Sequence, residues 1–279
     1  MLSYLHAFHA GNFADVQKHG ALLLALRMMQ AKDSAIACFD THAGSALYRL
    51  DSDQAQKTDE ARRGIQALWP DRQQLLSGDW KAFMAQLERF NGSRAALSHY
   101  GGSPAWMAAL KRPQDTVTAF ELHPTETGKL SDWAATVGIQ VRHQDGLRGL
   151  LKALPPSAPR LLVLTDPSYE IKTEYRDVAE TVIKAWQRCR HGVFLVWYPI
   201  LPKQDHHRLF SALTASEVTK VLRSELTLAE TPDRGMSGSG MLVINPPWGF
   251  EERFRAMMSE AGTADRLNAT HQLDWLVPE

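Results

Sequence analysis

Asp166, Pro167 and Tyr169 follow directly on an apolar run, Leu161-Leu-Val-Leu-Thr165, and their types suit one kind of chemistry. An exocyclic amine on a nucleobase is a poor nucleophile, because its lone pair is delocalised into the ring. A carboxylate (Asp166) and a backbone carbonyl (Pro167), each accepting one N–H, would hold such an amine and favour its pyramidal, nucleophilic form. The Tyr169 ring would stack on the base, which an enzyme must take out of any stack before reacting with it. Stacking of this kind is worth about 1–3 kcal/mol. The same residues also read as an ordinary strand followed by an Asp-Pro turn, and four residues recur easily by chance.

A short apolar run bounded by turn signals suits a parallel strand covered on both faces. In open α/β sheets ligands bind at the carboxyl ends of such strands. The pattern repeats along the chain. The run 35–39 leads into Asp40-Thr-His-Ala-Gly44, the run from Thr116 ends in Glu121, and the run from Val137 ends in Asp145-Gly146. Asp40, Glu121, Asp145 and Asp166 thus close four successive strands, the strongest signal in the chain. Glu121 is suited to accept both ribose hydroxyl hydrogens of a nucleoside cofactor, and Asp145 to accept a hydrogen bond from its adenine amine. Gly44 stands nearly alone, and Ala46 occupies a place where a second glycine would be expected, so a nicotinamide dinucleotide site is disfavoured. Ser103, in Tyr100-Gly-Gly-Ser-Pro104, is placed to cap the helix that follows; a helix start there could also receive a carboxylate or phosphate.

Acid, proline and aromatic in this order resemble the (Asp/Asn/Ser)-Pro-Pro-(Tyr/Phe/Trp) signature of methyltransferases acting on exocyclic amines, with Ser168 in place of the second proline. Asn245-Pro-Pro-Trp248 matches the signature more closely. Chain order decides between the two. The acids suited to a cofactor precede Asp166 on consecutive strands, whereas Asn245 follows two further strands and reads as a structural turn in a terminal hairpin. The glycines of 231–240 fit no phosphate-loop spacing.

Residues 1–20 form an N-terminal motif that holds Tyr4, His6, His9, Lys18 and His19, with a helical pattern from about Phe13. It reads as a lobe facing substrate or cofactor, or as surface histidines; it lacks metal-ligand spacing, and no metal is expected. Residues 50–98 break the strand–helix rhythm and read as an inserted helical subdomain. Within it Trp80, Phe83, Met84, Leu87 and Phe90 form an apolar stripe suited to core packing. The insertion's Lys57, Arg62, Arg63, Arg89 and Arg94 could form an RNA-facing edge or an ordinary solvated face.

A chain of 279 residues suits a single domain, 1–279, of α/β type, long enough to bury a core. Cys38 and Cys189 lie far apart and match neither a disulfide scaffold nor a zinc site, and a reducing cytoplasm is expected. No apolar run approaches a membrane span, and no export signal is expected. Thirty-one basic and thirty-one acidic side chains balance, which argues against a protein held to nucleic acid by overall charge but allows a local basic face.

The whole chain resembles the ribosomal RNA large-subunit methyltransferase J family. The resemblance runs through Met1-Leu-Ser-Tyr4, His9-Ala-Gly-Asn12, Lys18-His19, Asp40-Thr-His-Ala-Gly44, Gly102-Ser-Pro104, Glu121-Leu-His-Pro124, Asp145-Gly146, Trp197-Tyr-Pro199, Asn245-Pro-Pro-Trp248 and Trp275-Leu-Val-Pro-Glu279. It implies a Rossmann-like class I S-adenosylmethionine-dependent methyltransferase fold: a mostly parallel seven-stranded sheet with a terminal antiparallel hairpin and the inserted helical subdomain. It implies methyl transfer by direct displacement from S-adenosylmethionine, leaving S-adenosylhomocysteine, to N6 of one adenine of 23S rRNA met as naked RNA. The DNA adenine methyltransferases share the signature and are the alternative, as is a non-catalytic nucleic-acid-binding protein with a vestigial pocket. The family's site residues fall on Lys18, His19, His42, Gly44, Ser103, Glu121, Asp145, Gly146 and Asp166 for the cofactor and reacting centre. Asp166 with Pro167 and Tyr169 would carry the chemistry, and Tyr4, His6 and Tyr169 would meet the RNA. No membrane or obligate protein partner is implied, and a monomer is expected. Ser168 and Ala46 are departures from the family pattern.

Overall fold

Apolar runs alternating with amphipathic stretches build a central sheet with helices packed against it. The computed structural model describes residues 5–92, 96–230 and 235–279. The strands are β1 (Ile36–Asp40), β2 (Leu47–Arg49), β3 (His99–Gly101), β4 (Thr116–Glu121), β5 (Gln140–His143), β6 (Arg160–Thr165), β7 (Val193–Ile200), β8 (Val221–Leu228), β9 (Gly238–Ile244) and β10 (Ala269–Val277). The helices are α1 (Phe13–Met29), α2 (Asp53–Thr58), α3 (Ile65–Leu68), α4 (Gly78–Asn91), α5 (Ser103–Leu110), α6 (Pro124–Val137), α7 (Gly146–Ala153), α8 (Glu174–Arg188), α9 (His207–Thr214) and α10 (Phe250–Ala261).

The main sheet runs β10-β8-β9-β7-β6-β1-β4-β5. Neighbours from β5 to β7 are parallel, and β9, β8 and β10 join antiparallel. Eight strands stand where seven were expected, because β10 adds itself to the β8 edge beyond the β8–β9 pair. β1 and β9 are buried along their whole length and β6 along all but its first residue, as central strands covered on both faces must be. β1 leads through α5 to β4 on one side, and β6 leads through α8 to β7 on the other. Right-handed crossovers therefore put α5 and α8 on opposite faces. The order in which strands are added reverses between β1 and β6, and such a switch point opens a crevice at the carboxyl ends of the strands.

Helix α1 begins where the Asn12 side chain accepts the Asp15 amide at 2.9 Å. It is apolar on every side from Ala21 to Leu26, where each residue is fully buried, so it runs through the core rather than over it. Its packing against α5, α10, β7 and β9 brings Lys18 towards the switch point. Between β2 and β3 the chain carries the helices α2, α3 and α4, and β2 and β3 pair antiparallel beside them, Tyr48 opposite Tyr100. The stripe on α4 packs inward: Phe83 stacks on Trp106 with ring centroids 4.4 Å apart, and the Trp80 indole N–H donates to the Met257 carbonyl at 2.7 Å. Lys57, Arg62, Arg63 and Arg89 are exposed; Arg94 lies outside the described residues, as do residues 231–234 of the glycine-rich stretch. Among the described residues no helix is long and apolar enough to cross a membrane.

Candidate active site

The ends of β1, β4 and β6 surround a cleft of about 320 Å³. Its walls carry His42 and Gly44 from the loop after β1, Ser103 from α5, Glu121 from β4, Asp145 and Gly146 from the start of α7, and Asp166, Pro167 and Ser168 from the turn after β6. Lys18 and His6 reach it from the N-terminal segment. Local rules explain the positions. Gly44 has φ +58°, a conformation glycine adopts without strain, and its N–H donates to Glu121 Oε2 at 2.7 Å. The His123 amide donates to Oε1 at 2.7 Å, so Glu121 is held from both sides. A Cβ at Gly146 would overlap the Thr41 carbonyl; only glycine lets α7 start against the loop after β1. His42 shares a hydrogen bond with Thr41 Oγ1 at 2.8 Å, and burial pushes its pKa down to about 4, leaving it neutral at physiological pH.

Two of the acids serve otherwise than as simple strand ends. Asp145 lies beyond β5, at the N-cap of α7, where its Oδ1 accepts the Arg148 amide at 3.0 Å. Asp40 is fully buried and does not line the cleft. Burial, with Asp166 nearby, pushes its carboxyl up to about 7 against the stabilising contact of Ser103. Ser103 is not a cap: Gly102 holds that position, because a side chain there would press on the Ser45 carbonyl, and Ser103 sits one residue further into α5.

Asp166 is the hub. Its Oδ2 accepts from Lys18 Nζ in a short contact, and Lys18 also meets Asp15 Oδ1 at 2.8 Å. Asp15 Oδ2 in turn takes the Gly11 amide at 2.8 Å and His6 Nε2 at 2.9 Å. Burial raises the Asp166 pKa and the Lys18 ammonium only partly offsets this. Lys18, despite burial, is raised well above its usual range by the two carboxylates. Asp15 was missed in the sequence as a site residue. Its signal was the i,i+3 spacing to Lys18 on a helix.

A second cleft, of about 190 Å³, opens on the N-terminal side of Asp166. Its walls include His6, His9, Asn12, Glu60, Trp197 and Pro199, and it shares His6, Lys18, Asp166 and Ser168 with the first. Two cavities therefore meet at one carboxylate.

Two of the expected residues stand elsewhere. Tyr169 has φ +52°, which turns its ring into the core: it is buried, stacked on Tyr175 with centroids 4.2 Å apart, and donates its hydroxyl to the Trp197 carbonyl at 2.7 Å. It lines neither cleft and anchors the turn, so the stacking role expected of it does not fit its placement. His19 is likewise buried, its Nδ1 2.8 Å from the Tyr100 hydroxyl and its ring stacked beside Trp106. It lies behind the clefts, and burial holds it neutral. Tyr4 lies outside the described residues.

Asn245 sits at the other end of the sheet, since β9 runs antiparallel to β7 and Ile244 pairs with Phe194 near the start of β7. Its side chain donates to the Arg190 and Gly192 carbonyls, both at 2.8 Å, which is a turn's work. Asn245→Ala removes two hydrogen bonds worth roughly 1 kcal/mol each. It should lower the thermal midpoint without changing catalytic turnover, as melting curves beside initial rates will show.

Comparison with known proteins is consistent over the whole chain. A family model described as ribosomal RNA large subunit methyltransferase D, RlmJ, matches residues 33–277. The ribosomal RNA large subunit methyltransferase J of Escherichia coli (strain K12) is 37% identical over 285 residues, covering 100% of both chains. That of Haemophilus influenzae is 35% identical over 283 residues, again covering 100% of both. A crystal structure of a Legionella pneumophila protein superposes with a TM-score of 0.88 at 31% identity, covering 96% of this chain and 98% of that one. The chain belongs to the RlmJ family of ribosomal RNA large subunit methyltransferases.

Proposed function

We propose that this protein methylates the exocyclic N6 of a single adenine in 23S rRNA, acting on RNA not yet assembled into subunits. The observation that carries this reading is the meeting of two clefts at Asp166, with family membership supplying the substrate class. The larger cleft fits a nucleoside cofactor. Glu121 would take the ribose hydroxyls, and Asp145 would accept from the adenine amine through the lone pairs its capping bond leaves. Gly44 and Gly146 leave backbone exposed to the cofactor, and neutral His42 and Ser103 complete the polar wall. S-adenosylmethionine bound there supplies an electrophilic methyl group for direct displacement by the amine.

The second cleft would receive the adenine, which must be turned out of its stack; naked RNA permits that more readily than a packed ribosomal subunit. A carboxylate offers about four lone-pair sites, so Asp166 can keep Lys18 on Oδ2 and offer Oδ1 to one N–H. The Pro167 carbonyl takes the other. Lys18 keeps the buried carboxylate ionised, and so able to accept.

Transfer of labelled methyl from S-adenosylmethionine to protein-free 23S rRNA lacking the modification, beside assembled subunits and matched DNA, tests the proposal. Label recovered from naked RNA as N6-methyladenosine supports it, and label on DNA alone overturns the substrate class. Glu121→Ala should weaken cofactor binding roughly tenfold to a hundredfold, the worth of a charge-assisted hydrogen bond. Calorimetry will read that loss, and the rate at saturating cofactor should stay within a few-fold of wild type.

A further inference from the structure

We infer that Glu60 is a positioning residue, fastening residues 5–12 to the helical stretch so that this segment walls the cleft beside Asp166. Glu60 lies in a short 3-10 turn between α2 and α3, and it faces a segment about fifty residues earlier in the chain. Its Oε1 lies 2.8 Å from His9 Nδ1, and its Oε2 accepts from Asn12 Nδ2 at 2.9 Å. Both carboxylate oxygens are thus engaged with the N-terminal segment. Three neighbouring contacts lie on the same seam. The Ile65 amide donates to the Gly11 carbonyl at 2.8 Å, the Thr58 hydroxyl donates to the Phe8 carbonyl, and Gly64 lies so close to Gly11 and Asn12 that a Cβ would collide with their backbone.

The order imposed there propagates along a continuous line. Asn12, gripped by Glu60, caps α1 through the Asp15 amide at 2.9 Å. Asp15 holds His6 and Lys18, and Lys18 holds Asp166. Glu60 stands at the wall of the second cleft beside His9 and Asn12, with both carboxylate oxygens turned to those two side chains; it lies outside the larger cleft and reaches Asp166 only through the others. The inference rests on the proposed function, in which the second cleft takes the target base.

Glu60→Ala removes both acceptors. Glu60→Gln keeps the shape, with an amide oxygen to accept from Asn12 and an amide N–H to donate to His9. Both full-length variants would be compared with wild type by amide hydrogen exchange, by calorimetric S-adenosylmethionine titration and by steady-state methyl transfer to protein-free 23S rRNA. In Glu60→Ala, exchange across residues 5–12 should rise about tenfold and KM for RNA should rise about tenfold, as expected for two lost hydrogen bonds. The turnover rate and cofactor affinity should change less than about threefold, and Glu60→Gln should restore both affected quantities to within about twofold of wild type. Unchanged exchange in the alanine variant would overturn the fastening. Faster exchange with unchanged KM would overturn the positioning role, and so would equal impairment by alanine and glutamine. If wild-type protein transferred no methyl to RNA, the proposed function would fail instead, and exchange would still decide whether Glu60 fastens the segment.

Discussion

Asp166→Ala is expected to slow methyl transfer by roughly 10²–10⁴-fold, the range for losing a positioned proton acceptor in a reaction centre. Cofactor affinity should stay within about tenfold of wild type, because Glu121, Asp145 and the glycine-lined backbone belong to other strands and loops. The size of the effect follows from the geometry. Asp166 lines both clefts, and the Pro167 carbonyl alone would leave one amine hydrogen without an acceptor. Asp166→Asn is the sharper companion. Its side-chain N–H₂ would face either the Lys18 ammonium or the amine's own N–H, a donor against a donor, so a near-isosteric change should cost almost as much as truncation. Single-turnover rates at saturating cofactor, with calorimetry for affinity, separate the two effects. An alanine variant within about fivefold of wild type would place the chemistry away from Asp166.

Lys18→Met should act on both stability and pH dependence. The ammonium is buried between Asp15 and Asp166, and removing one partner of a buried ionic cluster costs about 3–5 kcal/mol, since the remaining charges lose their compensation. Denaturant unfolding at neutral pH measures this. In the wild type the pair's contribution is steady through neutrality. The folded pKa of Lys18 is raised, so its share is complete below its ordinary value and is lost only as pH climbs through the raised one. The folded pKa of Asp15 is depressed, so its share is present above its ordinary value and is lost only as pH falls through the depressed one. Activity should shift in the opposite sense to a harmless substitution. Burial already raises the Asp166 pKa and Lys18 opposes that rise; without Lys18 the carboxyl climbs further. The acid limb of the pH–rate profile should then move to higher pH, by roughly 1–3 units for the loss of an adjacent opposite charge. An unmoved acid limb would show that Lys18 does not set the charge of Asp166.

The placement of Asp166, Pro167, Glu121, Gly44 and Asp145-Gly146 on one cleft was legible in the sequence. Each stands at or just past the carboxyl end of a strand, and in a sheet with parallel strands those ends share one edge. The choice between Asp166 and Asn245 was legible in chain order, since Asn245 follows two further strands; the antiparallel direction of β9 is what puts it at the opposite end. The apolar stripe of α4 was equally plain, because helical periodicity records which face is buried. Periodicity records burial, however, and not the direction in which a turn aims its next side chain. Tyr169 follows the acid at the expected spacing, yet a positive φ sends its ring into the core. His19 adjoins Lys18 in the chain but points about 100° away around a helix that is buried on every side, and so meets Tyr100 instead of a cleft. Ser103 stands where a cap would serve, yet the Ser45 carbonyl demands glycine one place earlier. The remaining features depend on residues far apart in sequence: Glu60 on His9 and Asn12, Asp15 within reach of the Lys18–Asp166 pair, Trp197 and Pro199 across from the N-terminal segment, and β10 on the edge of β8. Local pattern determined which elements form and which ends of the strands carry chemistry. Only packing decided which side chains face each other across the second cleft, because those contacts arise from the mutual fit of whole elements.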